Sequence, residues 1–118
     1  MEMKLRLHDY VYDLIRNKTK DVEVRVNDEK RRQLHIGDTL IFINRGNEEE
    51  QTKVTVTNLV YFKNFKEVAE NYSMERLYLK DTSKEEYVKL FDEFYSQEDV
   101  EKYGVVAIEF KYNYSKKM

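Results

Sequence analysis

A mixed α+β domain is the fold this sequence predicts: a small β-barrel of about five strands with short helices packed at its openings. Three observations carry the prediction. Five segments alternate or run apolar in the manner of strands, and three or four short ones carry helical spacing. Their order in the chain (β, α, β, β, β, α, α, β) is not the regular alternation of a doubly wound sheet. No proline, repeat, low-complexity stretch or linker interrupts the 118 residues, so residues 1–118 read as one domain. Strands of this length leave edges, and closing the sheet into a barrel would remove them.

Residues 3–7 alternate and suit a short strand. Residues 9–17 place Val11, Leu14 and Ile15 at helical spacing, with Asp9 as cap and Asn17 as end. Residues 21–27 form a strand built on Val22, Val24 and Val26, and residues 28–37 form a charged loop or single helical turn ending at Gly37. Residues 38–44 are a strand, Asn44-Arg-Gly-Asn47 a turn, and Glu48–Glu50 a solvated loop. Residues 52–62 are β-rich. Phe65, Val68, Ala69 and Tyr72 then define a helix capped by Asn64, and residues 73–82 connect it to the next. That next helix, about 83–95, opens on the capping box Ser83–Glu86 and carries the stripe Tyr87, Leu90, Phe91 and Phe94. Ser96 starts a last short helix ending at Gly104. Residues 104–112 form the closing strand, with Val106, Ile108 and Phe110 on one face, and the tail Lys116–Met118 is expected to fray.

Composition narrows the function. The absence of cysteine excludes disulfides and thiolate metal sites, and two histidines, His8 and His35, are too few for a His-rich centre. No metal or cofactor is expected. No apolar run approaches a membrane span, so the chain reads as a cytoplasmic monomer. The net charge of −2 is unevenly spread. Residues 16–35 hold seven Lys/Arg against four acids, whereas residues 65–103 hold six against eleven. Such polarity can steer a polyanion to one face despite the overall sign. It is also ordinary solvation for a highly charged small domain.

The strand 21–27 concentrates this question. Its pleat puts three valines on one face and Glu23, Arg25 and Asn27 on the other. Such a polar row is either a recognition surface or a solvent face. Lys18, Lys20 and Arg25 are candidate contacts to phosphate or to a base edge, and Glu23 is a candidate acceptor from a base amino group. The consecutive cations Lys30, Arg31 and Arg32 would position RNA through its phosphates without reading sequence. Among the ten tyrosines, Tyr72 and Tyr87 read as core; Tyr10, Tyr12 and Tyr61 are candidates to stack on a base. His8, at a strand-to-helix junction, reads as structural or as a site residue. Lys20 shares strand parity with the valines, not with Glu23 and Arg25. The three converge only if Lys20 belongs to the helix-to-strand turn, in which case two cations hold Glu23 ionised.

Lys20-x-x-Glu23-x-Arg25, then Asn27-Asp28-x-Lys30-Arg31-Arg32, then Ile36-Gly37-Asp38-x-Leu40-x-Phe42, resembles the ASCH domain, a small β-barrel similar to the PUA domain. The step Tyr61-Phe62-x-x-Phe65 and the closing Tyr103–Phe110 strand extend the resemblance over about residues 5–112. It implies association with RNA, the Lys, Glu and Arg lining a cleft beside the barrel. The leading expectation is therefore RNA or nucleotide binding through Lys18, Lys20, Glu23, Arg25, Lys30, Arg31 and Arg32. One bacterial branch that it resembles is a small amidohydrolase acting on a modified nucleoside such as N4-acetylcytidine, using a Lys, a Thr three residues on and a distant Glu. Here Lys20 stands at the Lys position, Glu23 replaces the Thr, and Glu67, Glu70 and Glu75 are candidates for the distant Glu. The alternative function is that hydrolysis, with Lys20 and Glu23 as the working pair. A third reading, a protein-interaction module, draws on the acidic stretch 65–103.

Overall fold

A computed structural model describes residues 1–113; the expected fraying of Lys116–Met118 lies outside the described residues. Five strands form one sheet in the order β1-β3-β4-β5-β2. They are β1 (Glu2–Leu7), β2 (Val22–Val26), β3 (Thr39–Asn44), β4 (Asn47–Phe62) and β5 (Val105–Tyr112). β1 runs parallel to β3, and every other pairing is antiparallel. Helix α1 (Asp9–Arg16) links β1 to β2. A 3-10 turn (Arg31–Gln33) lies between β2 and β3, and α2 (Phe65–Asn71), α3 (Met74–Leu77), α4 (Lys84–Phe94) and α5 (Gln97–Tyr103) fill the segment between β4 and β5.

The alternation of β5 divides the core in two. Val105 and Ala107 pack with Val22, Val24 and Val26 against Phe65, Val68, Leu77 and Tyr87 of the helices. Val106, Ile108 and Phe110 pack on the other face with Leu5, Leu40, Phe42, Val54 and α1's Tyr12 and Ile15. The β2–β5 register sets Glu23 opposite Ile108 and Arg25 opposite Val106. The polar row of β2 therefore faces the barrel interior, and the valines face the helices. The solvent-face alternative is overturned, because both faces of β2 are covered and Glu23 is only 6% exposed.

The sheet curls but does not close. β1 and β2 are its two edges and share no ladder. The β4–β5 register shifts between Val56 and Asn58, a bulge that sharpens the bend. The edges approach closely enough for the Arg25 guanidinium of β2 to donate to the Arg6 carbonyl of β1 at 3.3 Å. The expected removal of edges by closure is thus only partly achieved, and the remaining gap is a cleft.

Four local expectations need correction. Glu48–Glu50 belong to β4 as an irregularity between Asn47, paired with Asn44, and Gln51, paired with Ile43. Arg6 reaches Glu48, and Arg16 reaches Glu50, which offsets their charge. Residues 73–82 contain α3. His8 occupies the cap position of α1 with no side-chain cap bond; Asp9 instead accepts from Asn44 at 2.8 Å, tying the helix to the β3–β4 turn. Tyr12 is a core residue bonded to Thr52 at 2.7 Å, not a stacker. The caps at Asn64, Ser83 and Ser96 form as expected, with the full capping box at Ser83–Glu86. Among the described residues, no helix is long and apolar enough to cross a membrane.

Candidate functional site

The gap between β1 and β2 opens into a cavity of 230 Å³. Its floor is Lys20, Glu23, Arg25, Leu77 and Tyr78. One wall comes from β1, the start of α1 and the β3–β4 turn: Arg6, Leu7, His8, Tyr10 and Arg45. The facing wall is the end of α4 with its aromatics: Tyr87, Leu90, Phe91, Phe94 and Tyr95.

Lys20 lies in the turn before β2, where the parity argument requires it, and Lys18 just upstream has φ of +60°. Its ammonium is 3% exposed and meets Val22 O at 2.5 Å, Leu77 O at 2.6 Å and Glu23 Oε1 at 3.1 Å. An ammonium has three protons to donate, so all three are spent. Lys20 fastens α3 to β2 and charges the floor from below. The other carboxylate oxygen, Glu23 Oε2, takes the Arg25 Nε–H at 2.7 Å. Arg25 Nη2 reaches Arg6 O, which leaves Nη1 as the donor of the floor without a partner among the described residues.

The electrostatics follow from burial and proximity. Burial works to raise the Glu23 carboxyl, but Lys20 and then Arg25 outweigh it and hold it below its usual value. The carboxylate is ionised at neutral pH, as the two-cation arrangement requires. Burial pushes the Lys20 ammonium down, with Glu23 opposing. Burial likewise lowers Arg25, but Glu23 reverses the direction and keeps its pKa raised. Burial raises the Tyr95 and Tyr87 hydroxyls, so both remain neutral donors.

The α4 stripe is divided between core and cavity mouth. Tyr87 is buried against Phe91, ring centroids 4.6 Å apart, but Leu90 and Phe94 are 41% and 66% exposed at the cavity mouth. Tyr10 is exposed there too. It stacks on His8 at 5.8 Å and meets Tyr78 edge-on, their hydroxyls 2.9 Å apart. Of the stacking candidates, Tyr10 therefore borders the cavity; Tyr61 is exposed but does not line it.

The structure brings Lys20, Glu23 and Arg25 together and leaves Lys18, Lys30, Arg31 and Arg32 outside the cavity lining. Arg32 is turned away, donating to Asn27 O at 2.9 Å with its guanidinium 5.6 Å from the Tyr103 ring. Lys30 lines a second depression with Met1, Glu2, Lys4 and Arg6, and Arg6 is shared with the cavity. Arg31 is half-buried, near enough to Arg25 to feel its charge, and its Nε is unpaired among the described residues. The expected groove from Lys20 to Arg32 is interrupted because the chain leaves β2 through a tight turn that bonds its own cations. Glu67, Glu70 and Glu75 do not line the cavity either. Sequence reasoning missed Arg6 and Arg45. The available signals were the outward parity of Arg6 on β1 and the position of Arg45 within the Asn44–Asn47 turn.

A small, curled, mixed sheet with a polar cleft at its open seam defines a PUA-like barrel. The ASCH domain family model matches residues 5–113, nearly the whole chain, and the chain belongs to the ASCH domain family. Solved structures agree. The crystal structure of hypothetical protein PH0355 is 38% identical with a TM-score of 0.82, over 96% of this chain and 100% of that one. The solution NMR structure of protein PF0455 from Pyrococcus furiosus is 34% identical with a TM-score of 0.73, over 95% of this chain and 97% of that one. No curated protein matches the chain.

Proposed function

We propose that this protein binds RNA or a free nucleotide by taking one unstacked base into the cavity. The observation that carries the reading is the pairing of unlike walls: the aromatics at the end of α4, with Phe94 exposed, face arginines on β1 and the β3–β4 turn, above a floor that offers the Arg25 fork. Base–aromatic stacking contributes about 1–3 kcal/mol per base. Arg25 supplies donors to acceptor atoms of a base edge, held in place by Glu23 and Arg6 O. The family's association with RNA supports the same reading. Calorimetric titration with the common ribonucleosides and short single-stranded RNAs at low salt tests it. Binding is expected, and Arg25→Gln should change which base is preferred. Absence of binding by all of these ligands would overturn the proposal.

One observation favours a second reading, hydrolysis of an amide on a modified nucleoside: the site is a bounded cavity around Lys20 and Glu23, not an open groove. The engagement of all three Lys20 protons weighs against it, because the ammonium has no donor left to polarise an amide and no lone pair to activate water. Incubation with N4-acetylcytidine, followed by mass spectrometry, separates the two. Intact substrate, or equal turnover by Lys20→Ala, would remove the hydrolase.

A further inference from the structure

We propose an anion subsite on the cationic wall of the cavity, formed by Arg6 and Arg45 above the Nη1 edge of Arg25, that receives the phosphate of a bound nucleotide. The inference rests on the nucleotide reading above and deepens it. It assigns the phosphate to residues outside the Lys30–Arg32 run.

The topology brings three arginines from three separate segments to one cavity, Arg6 and Arg45 on its wall and Arg25 on its floor. Leu7 pairs with Asn44 in the β1–β3 register, and Arg45 N donates to Leu7 O at 2.8 Å, so the β3–β4 turn sits beside the end of β1. Arg6 and Arg45 are therefore neighbours, and Arg25 reaches Arg6 O from the opposite edge of the sheet. All three line the same cavity.

Charge pairing sets Arg45 apart from Arg16 and Arg76. Arg16 is held by Asp13 and Glu50, and Arg76 by Asp21 at 2.8 Å. The Arg45 side chain has no hydrogen bond or ion pair among the described residues. Arg6 has only Glu48, at 3.3 and 3.4 Å, with both side chains exposed, a pairing that holds little energy. Glu23 neutralises Arg25 and Glu48 partly neutralises Arg6, so Arg45 is the cation of this set left for an anion. A guanidinium fork matches phosphate oxygens in shape and charge, and several such forks around one phosphate bind it far better than a single exposed one. The aromatic wall across the cavity would then hold the base, which distinguishes a nucleotide from free phosphate.

The test compares each ribonucleoside with its 5′- and 3′-monophosphates, and with inorganic phosphate, by calorimetry at low salt. The monophosphate should bind at least about tenfold more tightly than its nucleoside, the scale of one charge-assisted hydrogen bond. Arg45→Gln should abolish that gain, read as the ratio of monophosphate to nucleoside affinity on the same variant; its side chain is exposed in a turn, so the fold tolerates the change. Glu48→Gln should enlarge the gain by freeing Arg6. If the nucleoside binds but the phosphate adds less than about twofold, or if the gain survives in both Arg45→Gln and Arg6→Gln, the subsite is overturned and the nucleotide reading stands. If inorganic phosphate binds as tightly as the monophosphate, the wall is a free-anion site and the assignment to nucleotides is wrong. If no nucleoside or nucleotide binds, the underlying reading fails and the subsite with it.

Discussion

The Lys20–Glu23–Arg25 triad shows how one residue type changes role with its surroundings. Glu23 is buried and ionised because two cations enclose it. Removing it leaves those cations facing each other without a counter-charge. Glu23→Gln should destabilise the fold by about 3–5 kcal/mol, as for other broken buried pairs. Lys20→Met should also be costly, because it strands Val22 O and Leu77 O as well as a Glu23 oxygen. The double variant should cost less than the sum, and urea denaturation of the four proteins measures that coupling. A pH dependence follows with a defined sign. The folded pKa of Glu23 lies below its unfolded value of about 4.3, so its contribution is complete above that pH. It disappears as pH falls through the lowered folded value. Wild type should therefore lose stability on this acid limb, and Glu23→Gln should lack that component. Parity grouped Glu23 with Arg25 in the sequence, and Lys20 joined them on the condition, met in the structure, that it lies in the turn before β2. The triad's burial was not legible, because alternation shows that a polar row exists but not what covers it.

At the scale of elements, α4 and the β5 entry position the site. The Ser83–Glu86 box fixes where α4 begins, and its far end presents Leu90 and Phe94 to the cavity mouth. Phe94 touches little besides Tyr95, so Phe94→Ala should change stability by less than about 1 kcal/mol. It should nonetheless weaken nucleotide binding by about 1–3 kcal/mol through lost stacking. Thermal melts and calorimetry on one variant separate the two effects; a loss of stability without loss of affinity would return Phe94 to a packing role. Gly104 ends α5 at φ of +71° and ψ of −169°, a region almost confined to glycine, and an added Cβ would sit 3.1 Å from Phe62 O. Gly104→Ala should cost about 1–3 kcal/mol, read from the urea midpoint. The caps at Asn64, Ser83 and Ser96 and the terminal glycine were legible because capping uses few residue types at fixed offsets. Tyr72 and Tyr87 were read correctly as core, but the exposure of Leu90 and Phe94 was not legible, because helical spacing identifies an apolar face without saying what covers it. The irregular start of β4 was missed because an acidic triplet resembles a loop until its ion pairs with Arg6 and Arg16 are seen.

For the whole molecule, the open seam of the barrel sets the size of what can bind. The seam is bridged by Arg25 to Arg6 O, lined by Arg45 and closed on the far side by α4, whose solvent side carries Glu85, Glu86, Asp92 and Glu93. A strand extending from the cavity across α4 would meet carboxylates. In the other direction Arg6 is shared with the depression that Lys4 and Lys30 line, while Arg32 is bonded to Asn27 O and lines neither. The charge run 30–32 was the loudest feature of the sequence and yet does not extend the cavity, because a cation in a tight turn finds backbone carbonyls and rings before it finds a ligand. The number of phosphates engaged should therefore be small and independent of RNA length. For single strands, the logarithm of affinity falls with the logarithm of salt by about 0.7 per phosphate neutralised. A mononucleotide and a tetranucleotide should both show slopes near about −0.7 to −1, and their affinities should be similar at moderate salt. Charge reversal at Arg31 and Arg32 should leave both slopes unchanged. Titrations across a salt series decide the matter: a slope that steepens with each added nucleotide, and relaxes on reversal of Arg31 and Arg32, would mean that the basic turn tracks the RNA backbone and that the cavity is only one end of a longer interface.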